Sequence, residues 1–172
     1  GVPPVAYQAI WAVQRARPRD TGCVRGWVGG GDAFPTGLMT ACLSLLGGPL
    51  LQGYGMTELF PPTANRPTRN RPGSLGELWP GVEARIVDGQ GNPCEVGEIG
   101  ELHVRGPELF VGYWDDPQTT ARVMCDGWLC TGDLIERDAD CYFWFRGRLK
   151  QIITCDGEKI SPKHVENALL EH

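Results

Sequence analysis

Residues 52–58 read Gln-Gly-Tyr-Gly-Met-Thr-Glu, and the chemistry of the chain is best approached from this heptapeptide. The short apolar run of residues 49–52 predicts a strand that ends in a glycine loop. Glycines on both sides of Tyr54 leave room for its ring to stack on a nucleobase, and freed backbone N–H groups suit a phosphate. The Thr57 hydroxyl also suits a phosphate, and the Glu58 carboxylate suits Mg²⁺. The competing interpretation is an ordinary glycine-rich turn, which the following Thr-Glu pair disfavours.

The residues before the heptapeptide predict alternating helices and strands. A helix is expected from Pro4 to Arg17 and another from Pro35 to Leu46, with Pro18 and Gly47 as their stop signals. Between them, residues 24–28 predict a short strand that leads into three glycines. Strand, helix and strand with glycine loops at the strand ends indicate an α/β layer with its site at those ends.

The residues after the heptapeptide change in character. Residues 63–72 are polar and proline-rich and predict a loop, and a short helix is expected from Asp116-Pro117 to Val123. Strands are expected at 82–87, 100–105, 109–113 and 142–146, with a turn at 88–92. This pattern predicts a small antiparallel β subdomain. From Arg148 a third unit begins, with a turn at residues 156–157 and a final helix that starts at residues 161–162.

Two further segments carry polar residues suited to a nucleotide. Residues 130–134, Cys-Thr-Gly-Asp-Leu, place Asp133 after a glycine, where a carboxylate can accept hydrogen bonds from a ribose diol. Residues 145–153 contain Arg148, whose guanidinium suits ribose or phosphate oxygens. Taken singly, each segment is better explained by a solvated hairpin turn.

Composition narrows the classes of function. The chain has 172 residues and a net charge of −5 without a basic stripe, so no nucleic-acid partner is indicated. No apolar run approaches the roughly 20 residues of a membrane span. Seven cysteines without a Cys-x-x-Cys pair argue against a zinc site or a disulfide framework and favour reduced thiols in the cytoplasm. The start, Gly1-Val2-Pro3, has neither Met nor a signal pattern, and we expect it to be the middle of a longer protein.

In their order and spacing, the three segments resemble the successive core motifs of the adenylate-forming superfamily, which includes acyl-CoA synthetases, luciferases and peptide-synthetase adenylation domains. Residues 73–83 and 97–114 resemble the intervening motifs, so the resemblance runs from about Val24 to the end. It implies the end of a large α/β AMP-binding domain, residues 1–147, made of an α/β segment (1–72) and a β subdomain (73–147). Residues 148–172 would form the hinge and the beginning of a small C-terminal domain.

The resemblance also implies an activity. In this family a carboxylate attacks the α-phosphate of ATP to give an acyl-adenylate, and a thiol, usually that of CoA, then displaces AMP. ATP, Mg²⁺, CoA and a carboxylic acid, with a fatty acid modestly favoured, are the implied ligands. By similarity, Thr57 and Glu58 are catalytic, Glu58 binds the metal, Lys150 is the hinge, Gly157 and Lys159 contact CoA, and the nucleotide is bound by Gly30, Gly31, Asp32, Gln52, Gly53, Tyr54, Gly55, Met56, Thr57, Asp133 and Arg148.

Some features depart from the family pattern. Acidic Asp156 stands where many relatives have a basic residue, although Lys159 is nearby in sequence. The phosphate loop with its lysine and the C-terminal catalytic lysine are both missing, so we expect negligible ligase activity from this chain alone. An enzyme that loads a carrier protein and a non-catalytic nucleotide-binding remnant remain as alternatives. A dinucleotide oxidoreductase is disfavoured because no Gly-x-Gly-x-x-Gly opens a helix after a strand.

Overall fold

The computed structural model describes residues 2–32, 34–151, 153–155, 158–160, 162 and 165. Gly157, Asp156 and most of the predicted final helix lie outside these residues. The elements, in chain order, are α1 (Pro4–Ala16), β1 (Trp27–Gly29), α2 (Thr36–Leu46), β2 (Leu50–Met56), β3 (Leu59–Ala64), β4 (Glu77–Leu78), β5 (Glu83–Val87), β6 (Ile99–Arg105), α3 (Pro117–Val123), β7 (Met124–Cys125), β8 (Trp128–Arg137), β9 (Phe143–Arg148), a 3-10 helix (Leu149–Gln151), β10 (Ile153–Cys155) and β11 (Glu158–Ile160).

The first part of the chain is the α/β layer that the sequence predicts. β1 and β2 pair in parallel, with Trp27 opposite Leu50. Parallel neighbours need a crossover, and α2 supplies it. The two helices pack on this pair around a buried cluster of Tyr7, Phe34, Met39 and Leu50. Both helix predictions are confirmed, while the first strand lies slightly later than the expected residues 24–28.

The glycine loop expected after residue 52 is wrong, because β2 continues through residues 53–55 to Met56. β2 pairs antiparallel with β3, and the register shifts between Tyr54 and Met56. A Cβ on Gly55 would lie 2.4 Å from the Phe60 ring, so glycine allows β3 to return close to β2. The loop expected at 63–72 is also wrong in its first two residues, which belong to β3.

Downstream residues form the predicted antiparallel sheet, in the order β5-β6-β8-β7 with β9 paired to β8. Its longest strand, β8, has 10 residues and was not predicted, although residues 130–134 lie inside it. The strand expected at 109–113 is wrong, since these residues form an irregular segment that hydrogen-bonds to Glu58 through the backbone N–H of Phe110. The strands predicted at 82–87, 100–105 and 142–146 correspond to β5, β6 and β9.

One core joins the two sheets. Leu59 of β3 and Leu75 before β4 belong to the same buried cluster as Val104, Ile135 and Phe143 of the antiparallel sheet. Backbone hydrogen bonds between residues 75–76 and Phe143 connect the sheets directly. β4 extends the first sheet by pairing with β3, so the proposed boundary at residues 72/73 stays a prediction. The described residues include no helix that is long and apolar enough to cross a membrane.

Candidate functional site

A polar cleft of about 450 Å³ is lined by the interiors of β2 and β8 and by the end of β9. It collects eight residues that the sequence analysis assigned to a nucleotide site, although the heptapeptide and Arg148 are about ninety positions apart. The cleft is lined by Gly31, Asp32, Gln52, Gly53, Tyr54, Gly55, Leu75, Asp133, Phe145, Gly147, Arg148, Gln151 and Pro162.

Asp133 is the buried acid of this cleft, with 3% of its surface exposed. The Tyr54 hydroxyl donates a 2.7 Å hydrogen bond to Oδ2, and Arg148 Nε lies 3.0 Å from Oδ1 in an ion pair. Within the described part of the chain, Oδ1 accepts no well-formed hydrogen bond, and the same is true of the buried Oε1 of Gln52. The buried Gln52 Oε1, and an Asp133 Oδ1 whose contact is the ion pair with Arg148, favour a ligand that brings donors, such as hydroxyl or amino groups.

Burial controls the protonation of the cleft. It raises the pKa of the Asp133 carboxyl, while the Tyr54 hydroxyl and the Arg148 guanidinium oppose that rise. Burial and the neighbouring Asp133 also raise the pKa of Tyr54 well above its ordinary value. Tyr54 is therefore a neutral phenol that acts as a donor throughout the physiological pH range.

Neighbouring strands hold the backbone around Asp133. The Thr131 hydroxyl donates to the carbonyl of Leu102 at 2.8 Å and accepts from the N–H of Asp133 at 3.1 Å. The backbone N–H of Gly132 donates to Glu101 Oε1 at 2.9 Å. These contacts fix Asp133 in β8, so the solvated hairpin turn considered from sequence is wrong for this segment.

A second, mainly apolar cavity of about 650 Å³ adjoins the polar cleft at the heptapeptide. It shares Gly31, Gly53, Tyr54 and Gly55 with the polar cleft. The side chains facing it are largely apolar, and several, such as Phe60 at 63% exposure, are open to solvent. The full lining is Val28, Gly29, Gly30, Gly31, Leu51, Gly53, Tyr54, Gly55, Met56, Thr57, Phe60, Pro61, Thr63, Ala64, Asn65, Arg66, Pro67 and Trp79.

Glu58 lies at the turn between β2 and β3, where Thr57 beside it is exposed. The Tyr113 hydroxyl donates a 2.5 Å hydrogen bond to Glu58 Oε1. That hydrogen bond, with burial and the Glu58 charge, raises the pKa of Tyr113 to about 12, so the phenol stays protonated at neutral pH. No role for Tyr113 was predicted from sequence, where it belongs only to the motif-like residues 97–114.

Glu58 fits the coordination mode of Mg²⁺ that uses one or two protein carboxylates together with substrate phosphates. Among the described side chains no group of three or more His, Cys, Asp or Glu is arranged to hold a metal by itself. No hydrogen bond or ion pair from the described residues reaches Glu58 Oε2. This oxygen is therefore the one available to a metal that arrives with a phosphate.

The remaining predicted residues lie farther along the chain. Lys150 is exposed in the 3-10 helix that follows β9, and the backbone of Lys159 belongs to β11. The roles predicted for them, and for the residues of both cavities, stay predictions.

Comparison with known proteins identifies the family. Residues 1–114 match the family model described as AMP-binding enzyme. The chain is 38% identical to a long-chain-fatty-acid–CoA ligase of Bacillus subtilis over 172 residues, covering 98% of this chain and 31% of that protein. It is 38% identical to a feruloyl-CoA synthase of an Amycolatopsis species over 169 residues, covering 96% of this chain and 34% of that protein.

Solved structures agree with these sequence matches. The fold superposes on the anthranilate CoA ligase AuaEII, solved in complex with anthranoyl-AMP, with a TM-score of 0.89 and 32% identity over 99% of this chain and 33% of that one. The chain thus spans about a third of the length of the proteins it matches. The family-model match over residues 1–114, together with the shared fold, shows that this chain belongs to the AMP-binding family of adenylate-forming enzymes.

Proposed function

We propose that the full-length protein that contains this chain activates a carboxylic acid with ATP and transfers the acyl group to CoA. The observation that carries the proposal is the wall formed by Gly53, Tyr54 and Gly55, which lines both a polar cleft and an apolar cavity. A nucleotide in the first and an acyl chain in the second would meet at this wall. Adenylation requires that meeting, because the carboxylate must approach the α-phosphate in line.

The cleft residues suit the nucleotide half. Asp133 is proposed to accept hydrogen bonds from the ribose hydroxyls, with Arg148 contacting the ribose from the exposed side. Tyr54 is proposed to lie against the adenine while its hydroxyl keeps Asp133 oriented. Gly31, Asp32 and Gln52 of the same cleft are further proposed nucleotide contacts. Gly30 and Met56 are also proposed to contact the nucleotide, although they line the adjoining apolar cavity.

Glu58 is proposed to bind Mg²⁺ together with the phosphates of ATP, and Thr57 to contact a phosphate. The metal would neutralise charge on the phosphates as pyrophosphate departs. The protein's share of this step is chiefly positioning: Glu58 holds its free oxygen toward the phosphates, and the wall residues orient the carboxylate.

The second half-reaction is proposed to need a movement at Lys150. This residue lies two positions after Arg148, the last residue of β9, so a rotation there changes which groups of the following residues face the cleft. Gly157 and Lys159 are the proposed CoA contacts.

A fatty acid is the proposed substrate, since the second cavity is lined mainly by apolar groups and one long-chain relative is 38% identical. An aromatic acid is the second candidate, because a feruloyl-CoA synthase is equally similar and an anthranilate CoA ligase shares the fold. A cytoplasmic location is proposed as well, since seven cysteines without a Cys-x-x-Cys pair favour reduced thiols.

The proposal is tested with the full-length protein, by following AMP formation with ATP, Mg²⁺, CoA and a panel of fatty and aromatic acids. We expect AMP and acyl-CoA with one class, and competition between CoA and a phosphopantetheinyl carrier distinguishes the two acceptors. If no acid of the panel supported ATP–pyrophosphate exchange, the result would contradict the proposal. The 172-residue chain alone is expected to give negligible acyl-hydroxamate, since it lacks both lysine motifs of the family.

A further inference from the structure

The segment between β6 and α3 contacts Glu58 at two points, although 55 positions separate Glu58 from Tyr113. The Tyr113 hydroxyl donates to Glu58 Oε1, and the backbone N–H of Phe110 donates to the Glu58 carbonyl at 2.8 Å. The Phe110 and Tyr113 rings meet edge to face, with centroids 5.1 Å apart. Backbone and side chain of Glu58 are therefore both held by one short segment.

That segment is itself anchored to the start of α3. The backbone N–H of Tyr113 donates to Thr120 Oγ1 at 2.9 Å, and the Thr120 hydroxyl donates to the carbonyl of Asp116 at 2.9 Å. The Asp116 side chain caps the helix by accepting from the N–H of Thr119. A chain of hydrogen bonds thus leads from a capped helix through Tyr113 to one oxygen of Glu58.

We infer that Tyr113 is a positioning residue that fixes the Glu58 carboxylate so that Oε2 faces the metal of bound MgATP. This inference rests on the proposed function. A carboxylate with two equivalent free oxygens would rotate, whereas a hydrogen bond to Oε1 selects one orientation in advance. Partners of metal ligands act in this way elsewhere, and their loss weakens metal binding or activity by about 10- to 100-fold.

The test uses Tyr113→Phe in the full-length protein. Calorimetry measures ligand binding, and turnover is not the readout. MgATP and metal-free ATP, the latter in EDTA, are titrated separately. We expect Y113F to weaken MgATP binding by about 10-fold or more and to leave metal-free ATP binding within about twofold. A general structural role would weaken both ligands equally, which would overturn the inference.

Two further variants sharpen the result. Tyr142→Phe is the matched control, because its hydroxyl also donates a hydrogen bond, to the carbonyl of Arg69 at 3.1 Å, but it lies in the β8–β9 connection. It should leave the difference between MgATP and metal-free ATP unchanged. Thr120→Val removes the anchor of Tyr113 without touching Glu58, and it is expected to give a smaller loss of MgATP affinity in the same direction, which keeps the test open if Y113F folds poorly.

A double variant addresses the link to Glu58. In Glu58→Gln, the added Tyr113→Phe change should have no further effect on MgATP binding, since the group to be positioned is gone. Full additivity of the two changes would contradict the inference. If the wild type binds ATP and Y113F binds MgATP with the same affinity as the wild type, the inference is overturned but the proposed function is not. If the wild type binds neither MgATP nor metal-free ATP, the proposed function is overturned as well.

Discussion

Asp133 is a buried carboxylate. We expect it to favour nucleotide binding while it lowers the stability of the fold at neutral pH. Because burial raises its pKa, the ionised carboxylate is less favourable in the folded than in the unfolded chain. The stability it contributes is fully present below its unfolded pKa and is lost as the pH rises through the higher folded pKa. Asp133→Asn should therefore melt no lower than the wild type at pH 7, while AMP affinity falls about tenfold or more, as for a lost hydrogen bond to a charged group.

Thermal melts at pH 4 and pH 7 and an AMP titration check this prediction in the full-length product. Asp126→Asn, an exposed aspartate in the β7–β8 turn, serves as the control and should change neither property. Unchanged AMP affinity in D133N would contradict the proposed ribose contact. A lower melting temperature at pH 7 would contradict the argument from burial.

The sequence predicts several of the residues that line the cleft, but it does not predict the hydrogen bonds between them. Tyr54, Asp133 and Arg148 were each chosen for the groups they offer to a nucleotide, and the structure brings all three to one cleft. The direct hydrogen bond from Tyr54 to Asp133 spans 79 positions, and no local pattern encodes it. The contact of Tyr113 with Glu58 was missed for the same reason.

At the scale of elements, the close approach of β3 and the residues before β4 depends on Gly76. Its φ is +87°, and a Cβ there would lie 2.0 Å from the carbonyl carbon of Ala64, a backbone atom that has nowhere to move. Gly76→Ala should destabilise the fold by about 3 kcal/mol or more, since left-handed strain alone costs about 1–3 kcal/mol. Urea unfolding measures the loss.

Gly89→Ala is the matched control for this prediction. Gly89 lies in the turn after β5, has no atom within 4 Å of an added Cβ, and does not adopt the left-handed region. Its replacement should change the free energy of unfolding by less than about 0.5 kcal/mol, as is usual for surface sites. Equal losses in both variants would show that the close contact at Gly76 is relieved by movement of the backbone.

Elements were predictable where local signals agreed with the fold. α1, α2 and α3 begin at or beside prolines, and the predicted turn at 88–92 separates β5 from β6. β8 was missed because Thr131 and Gly132 suggest a turn. In the structure they lie at a register shift between β6 and β8, where Thr131 bonds to the Leu102 carbonyl and Gly132 to the Glu101 side chain. Residues 109–113 have strand-forming side chains, but Phe110 and Tyr113 make their contacts to each other and to Glu58 instead.

At the scale of the whole molecule, an ionic cluster supports the shared core where the two sheets meet. Arg71, in the connection between β3 and β4, pairs with Asp138 and with Asp140, each at 2.7 Å, and its guanidinium stacks on the Tyr142 ring at 4.3 Å. Trp144 of β9 donates to Asp138 Oδ2 at 2.8 Å. Asp138 is thus held by both parts of the fold, a long-range pairing that the sequence patterns of the separate segments did not predict.

Asp138→Asn is expected to loosen this connection in a way that depends on pH. Although burial opposes it, hydrogen bonds from Trp144, from the backbone of Tyr142 and from Arg71 lower the pKa of Asp138. Its contribution to stability is therefore present above the unfolded pKa and lost as the pH falls through the lower folded pKa. D138N should lose about 1–3 kcal/mol at pH 7, and the difference from the wild type should shrink below about pH 4.

Melting curves from pH 7 down to pH 3 follow that difference, and Asp140→Asn is the comparison. Asp140 pairs with the same arginine at the same 2.7 Å, but its side chain is 67% exposed against 23% for Asp138. Exposed ion pairs contribute about 0–1 kcal/mol, so D140N should be nearly neutral. If D138N and D140N lost equal stability, the charge of the two aspartates alone would explain the connection between the sheets. The hydrogen bonds that Asp138 accepts from Trp144 and from the backbone of Tyr142 would then contribute nothing further.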